Sequence, residues 1–454
     1  MRASTPLLVA CALAVSACGP ADTKPKKLSA AVEYYMLPNG LKVVLSRDQT
    51  VPTVGTGVYY HVGFRTEPKG RTGYSHLFEH LMFQGSANLG KREFINLVEG
   101  NGGVLNGSTR FDFTNFYEVV PSNALERMLW AEADRMKSLA IDTGNVHNQQ
   151  DVVKNEVRVN VINQPYGSFP WIDLPMAANE NWQNAHNFYG DMADLDHATV
   201  PEAQAFHKAY YAPNNAVLAV VGDFEVAQTK QWIDKYFGGI PKQDVPPQPD
   251  ISEPRQTKER HGSRVDALAN RPALAIAYHI PERWTPDWFA FGLIDQILGQ
   301  GRDSRLYDAL VQRAALTSDV SAGINWGLGN QFNYQGPMLW IATVYYDRDK
   351  TSDTLLKVMD KEIEALRTTP VDSATLARAK TKLRSSLYGI AEDFSGLGKL
   401  DLLASFALFD NDPAKINTLE DSFAAITPAQ ILKTAQEYLR PENRTVYTIV
   451  PGAK

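Results

Sequence analysis

The chain has 454 residues, a length suited to two domains rather than one small one. Its formal charge of -6 lacks the basic footprint that nucleic-acid binding needs, so no nucleic-acid partner is expected. Apolar content is ordinary for a globular protein, and no internal apolar run reaches the roughly twenty residues of a membrane span.

The first eighteen residues read as a lipoprotein-type signal peptide. Arg2 is a minimal basic start, and Leu7 to Val15 form a short apolar core. Val15-Ser16-Ala17-Cys18 resembles the lipobox of bacterial lipoproteins, which implies acylation at Cys18. Gly19 rather than Asp then favours the outer membrane, and residues 19–30 read as a polar tether. The expected location is the bacterial periplasm, with membrane contact only through this lipid anchor. Cys11 and Cys18 are the only cysteines, so any metal in the mature part must be held by nitrogen and oxygen.

Tyr34 to Arg47 predicts a hairpin about Pro38-Asn39-Gly40, followed by a strand over Val51 to Phe64. A helix is expected from Tyr74 to Met82, and another from Lys91 to Glu99, stopped by the glycines after it. Two strands follow, Val104 to Arg110 and Phe113 to Val120. Pro121-Ser122-Asn123 opens a helix toward Leu139, and a further helix spans Asn145 to Val161. Residues 241–262 are Pro-rich and polar, and read as a linker.

The two sides of that linker look related. Tyr210 is followed by Pro213, Asn215 and Leu218, and Tyr438 by Pro441, Asn443 and Val446 at the same offsets. Pro201 and Pro428 precede the two tyrosines as helix openers. Such self-similarity suggests duplication of one unit. The expected fold is α+β, two similar mixed α/β domains of sheet and packed helices, over residues 31–240 and 263–454.

The chemistry centres on His76-Leu77-Phe78-Glu79-His80. Histidines four apart share one face of a helix and can grip one metal ion. Glu79 stands near enough to both to act on a water beside that ion. The order is the reverse of the commoner His-Glu-x-x-His zinc motif and points to peptide-bond hydrolysis. A hydrolytic zinc site takes three protein ligands and keeps one position open. Glu156 is the best third ligand by position, with Asp151 and Glu99 also available. The remaining histidines lack ligand spacing with one another and read as structural or surface residues.

The segment His76 to Gly85 resembles the signature helix and turn of the pitrilysin-type zinc metallopeptidases, the inverzincins. The closest branch is the bacterial one similar to mitochondrial processing peptidase. Gly102 to Thr109 resembles the next strand of that family, and Val153-Lys154-Asn155-Glu156 its third-ligand segment. The resemblance implies one Zn2+ on His76, His80 and Glu156, with Glu79 as the catalytic base. It also implies that Asn106 and Gly107 receive an extended peptide substrate by strand addition, although Asn-Gly by itself reads as a turn.

The chain departs from the family pattern in two respects. Gln149 stands where many members carry a glutamate that supports the site; an amide can orient a ligand but adds no charge. Ser304-Arg305-Leu306-Tyr307 resembles a helix start in the second domain, and from there a complete site has an arginine and then a tyrosine. Here those positions are Val311 and Ser318, with Arg313 as a stand-in. The resemblance therefore implies the zinc subunit of a heterodimer whose homologous partner supplies the Arg/Tyr pair. The alternative is a non-catalytic peptide-binding or scaffold subunit, a role whose holders in the family typically lack the metal motif.

Overall fold

The computed structural model describes residues 27–392 and 397–452. The expected leader with Cys11 and Cys18, and residues 19–26 of the expected tether, lie outside the described residues; the last four tether residues, 27–30, are described, and Leu28 among them is buried. Among the described residues no helix is long and apolar enough to cross a membrane.

Two mixed sheets organise the chain, as the α+β expectation requires. The first is built from β1 (Glu33–Met36), β2 (Lys42–Arg47), β3 (Thr53–Tyr60), β4 (Val104–Thr109), β5 (Thr114–Pro121) and β6 (Ala216–Gly222). Their order is β1-β2-β6-β3-β5-β4, which leaves β4 at an edge. The second holds β7 (Arg260–Asp266), β8 (Ala273–His279), β9 (Ser321–Ile324), β10 (Leu339–Tyr345) and β11 (Arg444–Pro451), in the order β7-β11-β8-β10-β9. In both sheets a late strand closes the repeat the same way: β6 pairs parallel with β2 and antiparallel with β3, as β11 does with β7 and β8.

The duplicated sequence segments are structural equivalents. Each is a helix, Val200–Tyr210 or Pro428–Tyr438, followed by one 3-10 turn and the late strand. Asn215 Nδ2 donates to the carbonyls of Tyr210 (2.8 Å) and His61 (3.3 Å). Asn443 Nδ2 donates likewise to Tyr438 (2.7 Å) and His279 (2.9 Å). Both asparagines are buried, and each ties the turn to the end of the neighbouring strand. This explains why this residue recurs at this offset.

On the first sheet lie α1 (Tyr74–Leu81), α2 (Glu93–Gly100) and α3 (Leu125–Ser138), while α4 (Thr143–Val157) packs on α1. Several bounds differ from the sequence expectation for local reasons. β3 stops at Tyr60 because the His61 amide turns to the carbonyl of Asn215, and a 3-10 turn follows at Phe64–Thr66. α2 starts at Glu93 because Arg92 is left-handed, with φ 66°. α4 gives way after Val157 to a wider π turn over Arg158–Ile162.

The sequence halves exchange helices. The short α5 (Asp173–Ala178), from before the linker, packs on β7, β8 and β11. The helix Leu397–Asp410, from after it, packs on β2, β3 and β6. Gly57 makes room for this second helix, since a Cβ there would lie 2.7 Å from Leu400 Cδ2. Tyr59 donates its hydroxyl to Asp401 (3.0 Å), and Lys42 donates to the carbonyls of Ala407 (3.3 Å) and Leu408 (3.1 Å). With both faces covered, Ala216 to Val221 are all buried, and the strand is apolar throughout instead of alternating.

The Pro-rich segment after Pro241 has no regular structure until β7, which takes its last three residues, Arg260 to Gly262. It is a strap held in place rather than a free tether. Glu253 accepts from the amides of Glu180 (2.9 Å) and Asn181 (3.1 Å), and Gln248 Nε2 donates to His61 O (3.0 Å).

In the second half, Ser304 caps a short helix, Arg305–Tyr307, which widens to a π turn over Asp308–Arg313. Val311 is half-buried against the core, and Ser318 is exposed beyond the helix. Arg313 is not a free stand-in: Asp308 (2.7 Å) and Glu362 (2.6 Å) already engage its guanidinium.

Candidate metal centre

α1 enters from an unusual start. Its N-cap, Gly73, is left-handed (φ 81°) and has no side chain to cap with. Glu67 does that work from outside the helix, accepting from the amides of Gly73 (2.8 Å) and Ser75 (2.7 Å). A buried carboxylate at the positive end of the helix fixes both position and charge. Leu77, Phe78 and Leu81 face the core, which turns His76, Glu79 and His80 toward β4 and α4.

His76, His80 and Glu156 converge. One ligand atom from each lies within 4.8 Å of the others, the only such group of three or more His, Cys, Asp or Glu among the described residues. The two Nε2 atoms are 3.3 Å apart, and Glu156 reaches His80 at 3.1 Å and His76 at 3.7 Å. Of the alternatives, neither Asp151 nor Glu99 joins the group. Burial, aided by the neighbouring His80, pushes the His76 pKa down to about 4, leaving a neutral imidazole fit to donate a lone pair. The hydrogen bond with His80 holds the Glu156 carboxyl below its ordinary value, so it is ionised.

Two imidazoles and one carboxylate are the donor types that zinc takes in hydrolytic sites. The Nε2 atoms of His76 and His80 and the Glu156 carboxylate converge on one space, offering lone pairs that a cation would bind. The residues present fit a zinc ion.

Glu79 stands outside the ligand group. Its Oε2 accepts a hydrogen bond from Thr109 Oγ1 (2.7 Å), and burial raises its pKa. Gly107 lies against the same side chain: a Cβ there would sit 3.2 Å from Glu79 Cγ and 3.1 Å from Phe116 Cδ1. Asn106 is exposed on the open edge of β4, its Oδ1 accepting from the Gly107 amide (2.9 Å). Gln149 is buried on α4 and donates to Asn148 (2.8 Å); no hydrogen bond joins it to the ligand group.

Three contributors were not apparent in the sequence: Glu67, Thr109 and Tyr189. The Tyr189 ring lies edge-on to His76, with centroids 5.0 Å apart, and its hydroxyl interacts with Glu156. Burial and that carboxylate push its pKa up to about 12. No local signal marks Glu67 or Tyr189, because each acts across the fold on a segment it does not adjoin. Thr109 was findable: it shares a strand face with Gly107, two residues away.

The chain thus combines two mixed sheets with a His/His/Glu group on α1 and α4, beside the edge strand β4. The family models described as Insulinase (Peptidase family M16) and Peptidase M16 inactive domain match residues 42–168 and 197–383. The chain belongs to peptidase family M16. It is 25% identical over 425 residues to the zinc protease PqqE of Helicobacter pylori, covering 92% of this chain and 93% of that protein. It is 22% identical to the beta subunit of the yeast (Saccharomyces cerevisiae) mitochondrial-processing peptidase, over 77% of each chain. The crystal structure of a protease from Helicobacter pylori superposes with a TM-score of 0.84 at 25% identity, covering 93% of this chain and all of that one.

Proposed function

We propose that this chain is a zinc-dependent endopeptidase or oligopeptidase of the cell envelope, hydrolysing peptides or unfolded segments together with a partner subunit. The convergence of His76, His80 and Glu156 beside a Glu79 that takes no part in the ligand group carries this reading. Those three residues would hold one zinc ion, which when bound supplies Lewis acidity toward a water and the scissile carbonyl.

The chain's own residues supply the rest. Glu79 takes the proton of the attacking water and passes it to the leaving amine. Thr109 occupies one Glu79 oxygen, leaving the other free for that proton. The open edge of β4 at Asn106 and Gly107 takes an extended peptide through backbone pairing, which gives affinity without strict sequence demands. Gln149 stands in for the usual carboxylate on α4 without adding charge. Residues 31–240 form the metal-bearing half, and residues 263–454 the half without an Arg/Tyr pair. A homologous partner would supply that pair, a reading supported by the relative named as a subunit. The leader ending at Cys18 supports a lipid-anchored periplasmic location.

Glu79→Gln is the test. It should bind zinc as the parent does and lose hydrolysis of a peptide library; zinc loss from a folded variant would make Glu79 a ligand. Assays of the chain alone and with the product of a neighbouring homologous gene test the partner, and full activity alone would remove the need for one.

A further inference from the structure

Arg110 directly follows the edge strand β4, one residue after Thr109, the donor to Glu79. Its backbone is fixed: the amide donates to Phe113 O (2.8 Å), and the carbonyl accepts from Phe64 N (3.3 Å). Its side chain is half-buried and makes no ion pair or hydrogen bond among the described residues. Nearby Arg65 differs, being buried against Asp112 (3.1 Å) and bonded to Pro337 O. The Arg110 charge acts on two carboxylates, Glu79 and Asp401. Neither consumes it: Thr109 serves Glu79, while Tyr59 (3.0 Å) and Asn333 (3.1 Å) serve Asp401.

The strand pleat decides what this guanidinium meets. Gly107 and Thr109 turn toward α1, so Asn106 and Ser108 share the opposite face of β4, and Arg110, one residue past the strand's end, continues that alternation. A strand added to the β4 edge would set one side chain directly beside Arg110 on that face. That residue would lie about 10 Å, or three residues, along from the one opposite Gly107. A free guanidinium there selects a carboxylate, which it can bind with two parallel hydrogen bonds.

Resting on the strand-addition reading above, we infer that Arg110 is a specificity-determining residue that recruits peptides carrying a carboxylate near the scissile bond. The carboxylate comes from an Asp or Glu side chain or from the peptide's C-terminus.

The test compares the full chain, with its partner where activity needs one, with Arg110→Gln and Arg110→Glu. Peptides differ only by Glu, Gln or Lys at scanned positions, each with a free or amidated C-terminus. Each variant is normalised to its own rate on the all-neutral peptide. The parent should favour Glu over Gln about tenfold at one position, as a charge-assisted contact allows. That ratio should fall to about one in Arg110→Gln and turn toward Lys in Arg110→Glu. A preference that follows the free C-terminus, and is lost in the same variants, assigns the terminal carboxylate instead. Fluorescence anisotropy of the same peptides on the Glu79→Gln chain reads binding without hydrolysis. Equal Glu:Gln ratios in parent and variants, by rate or by anisotropy, overturn the inference. Absence of any cleavage by the parent counts against the peptidase reading alone, because the anisotropy ratios still decide the role of Arg110.

Discussion

Thr109 Oγ1 lies 2.7 Å from Glu79 Oε2 and donates to it, joining the edge strand β4 to the proposed base on α1. Thr109→Val removes the donor and keeps the shape, leaving a buried carboxylate short of a partner. A lost hydrogen bond to a charged group costs about 1.5–3 kcal/mol, so kcat/KM should fall by one to two orders of magnitude. Zinc content should stay at the parent level, and Thr109→Ser should recover most of the rate. Zinc loss in Thr109→Val would show that the strand supports the ligands rather than the base.

Gly107 is the second point where strand and base meet. The space for a side chain there is already filled by Glu79 Cγ at 3.2 Å and Phe116 Cδ1 at 3.1 Å. Gly107→Ala asks the neighbours to give by tenths of an ångström, whereas the branched side chain in Gly107→Val must displace Glu79. Overpacking of this kind costs about 1–3 kcal/mol in stability. The activity loss in Gly107→Val should exceed that of Gly107→Ala at least tenfold, consistent with the steep cost of a misplaced catalytic group. Zinc titration of both variants should match the parent.

What the sequence disclosed follows from how local each signal was. The helix of His76, Glu79 and His80 is a single-turn pattern, and the Asn215 and Asn443 turns repeat at fixed offsets, so both were legible. Glu156 was one of three acids on offer until α4 packed against α1. Glu67 caps α1 from ahead of Gly73, outside the reach of any capping pattern. The helix Leu397–Asp410 falls in the second half of the sequence but covers the first sheet, and an apolar run does not say which sheet it will cover. Arg313 shows the reverse error: the right residue type near the right position, already bound to Asp308 and Glu362.

Tyr189 supports the ligand group from the side. Its hydroxyl interacts with Glu156, and its ring closes on His76. Tyr189→Phe keeps the ring and removes the hydroxyl. Outer partners of metal ligands are worth roughly 10- to 100-fold in affinity, so the zinc dissociation constant should rise by about tenfold or more. The thermal melt of the metal-free chain should move little. Unchanged affinity would confine Tyr189 to packing.

Far from the metal centre, Asp295 gives a stability prediction with a definite sign. It is buried in the second half, where Trp340 Nε1 (2.7 Å) and Gln300 Nε2 (3.2 Å) donate to its Oδ1. Burial outweighs those bonds and raises its pKa from 3.8 to about 6. Between those values the folded chain holds a proton that the unfolded chain releases, so stability falls as pH rises through that window and the loss is complete above it. A rise of that size corresponds to about 3 kcal/mol. Asp295→Asn keeps an oxygen to accept both bonds and removes the charge. In urea melts its stability relative to the parent should improve by roughly 1–3 kcal/mol between pH 4 and pH 7. A difference independent of pH would mean that Asp295 keeps its ordinary ionisation in the folded state, with the donors around it matching the cost of burial.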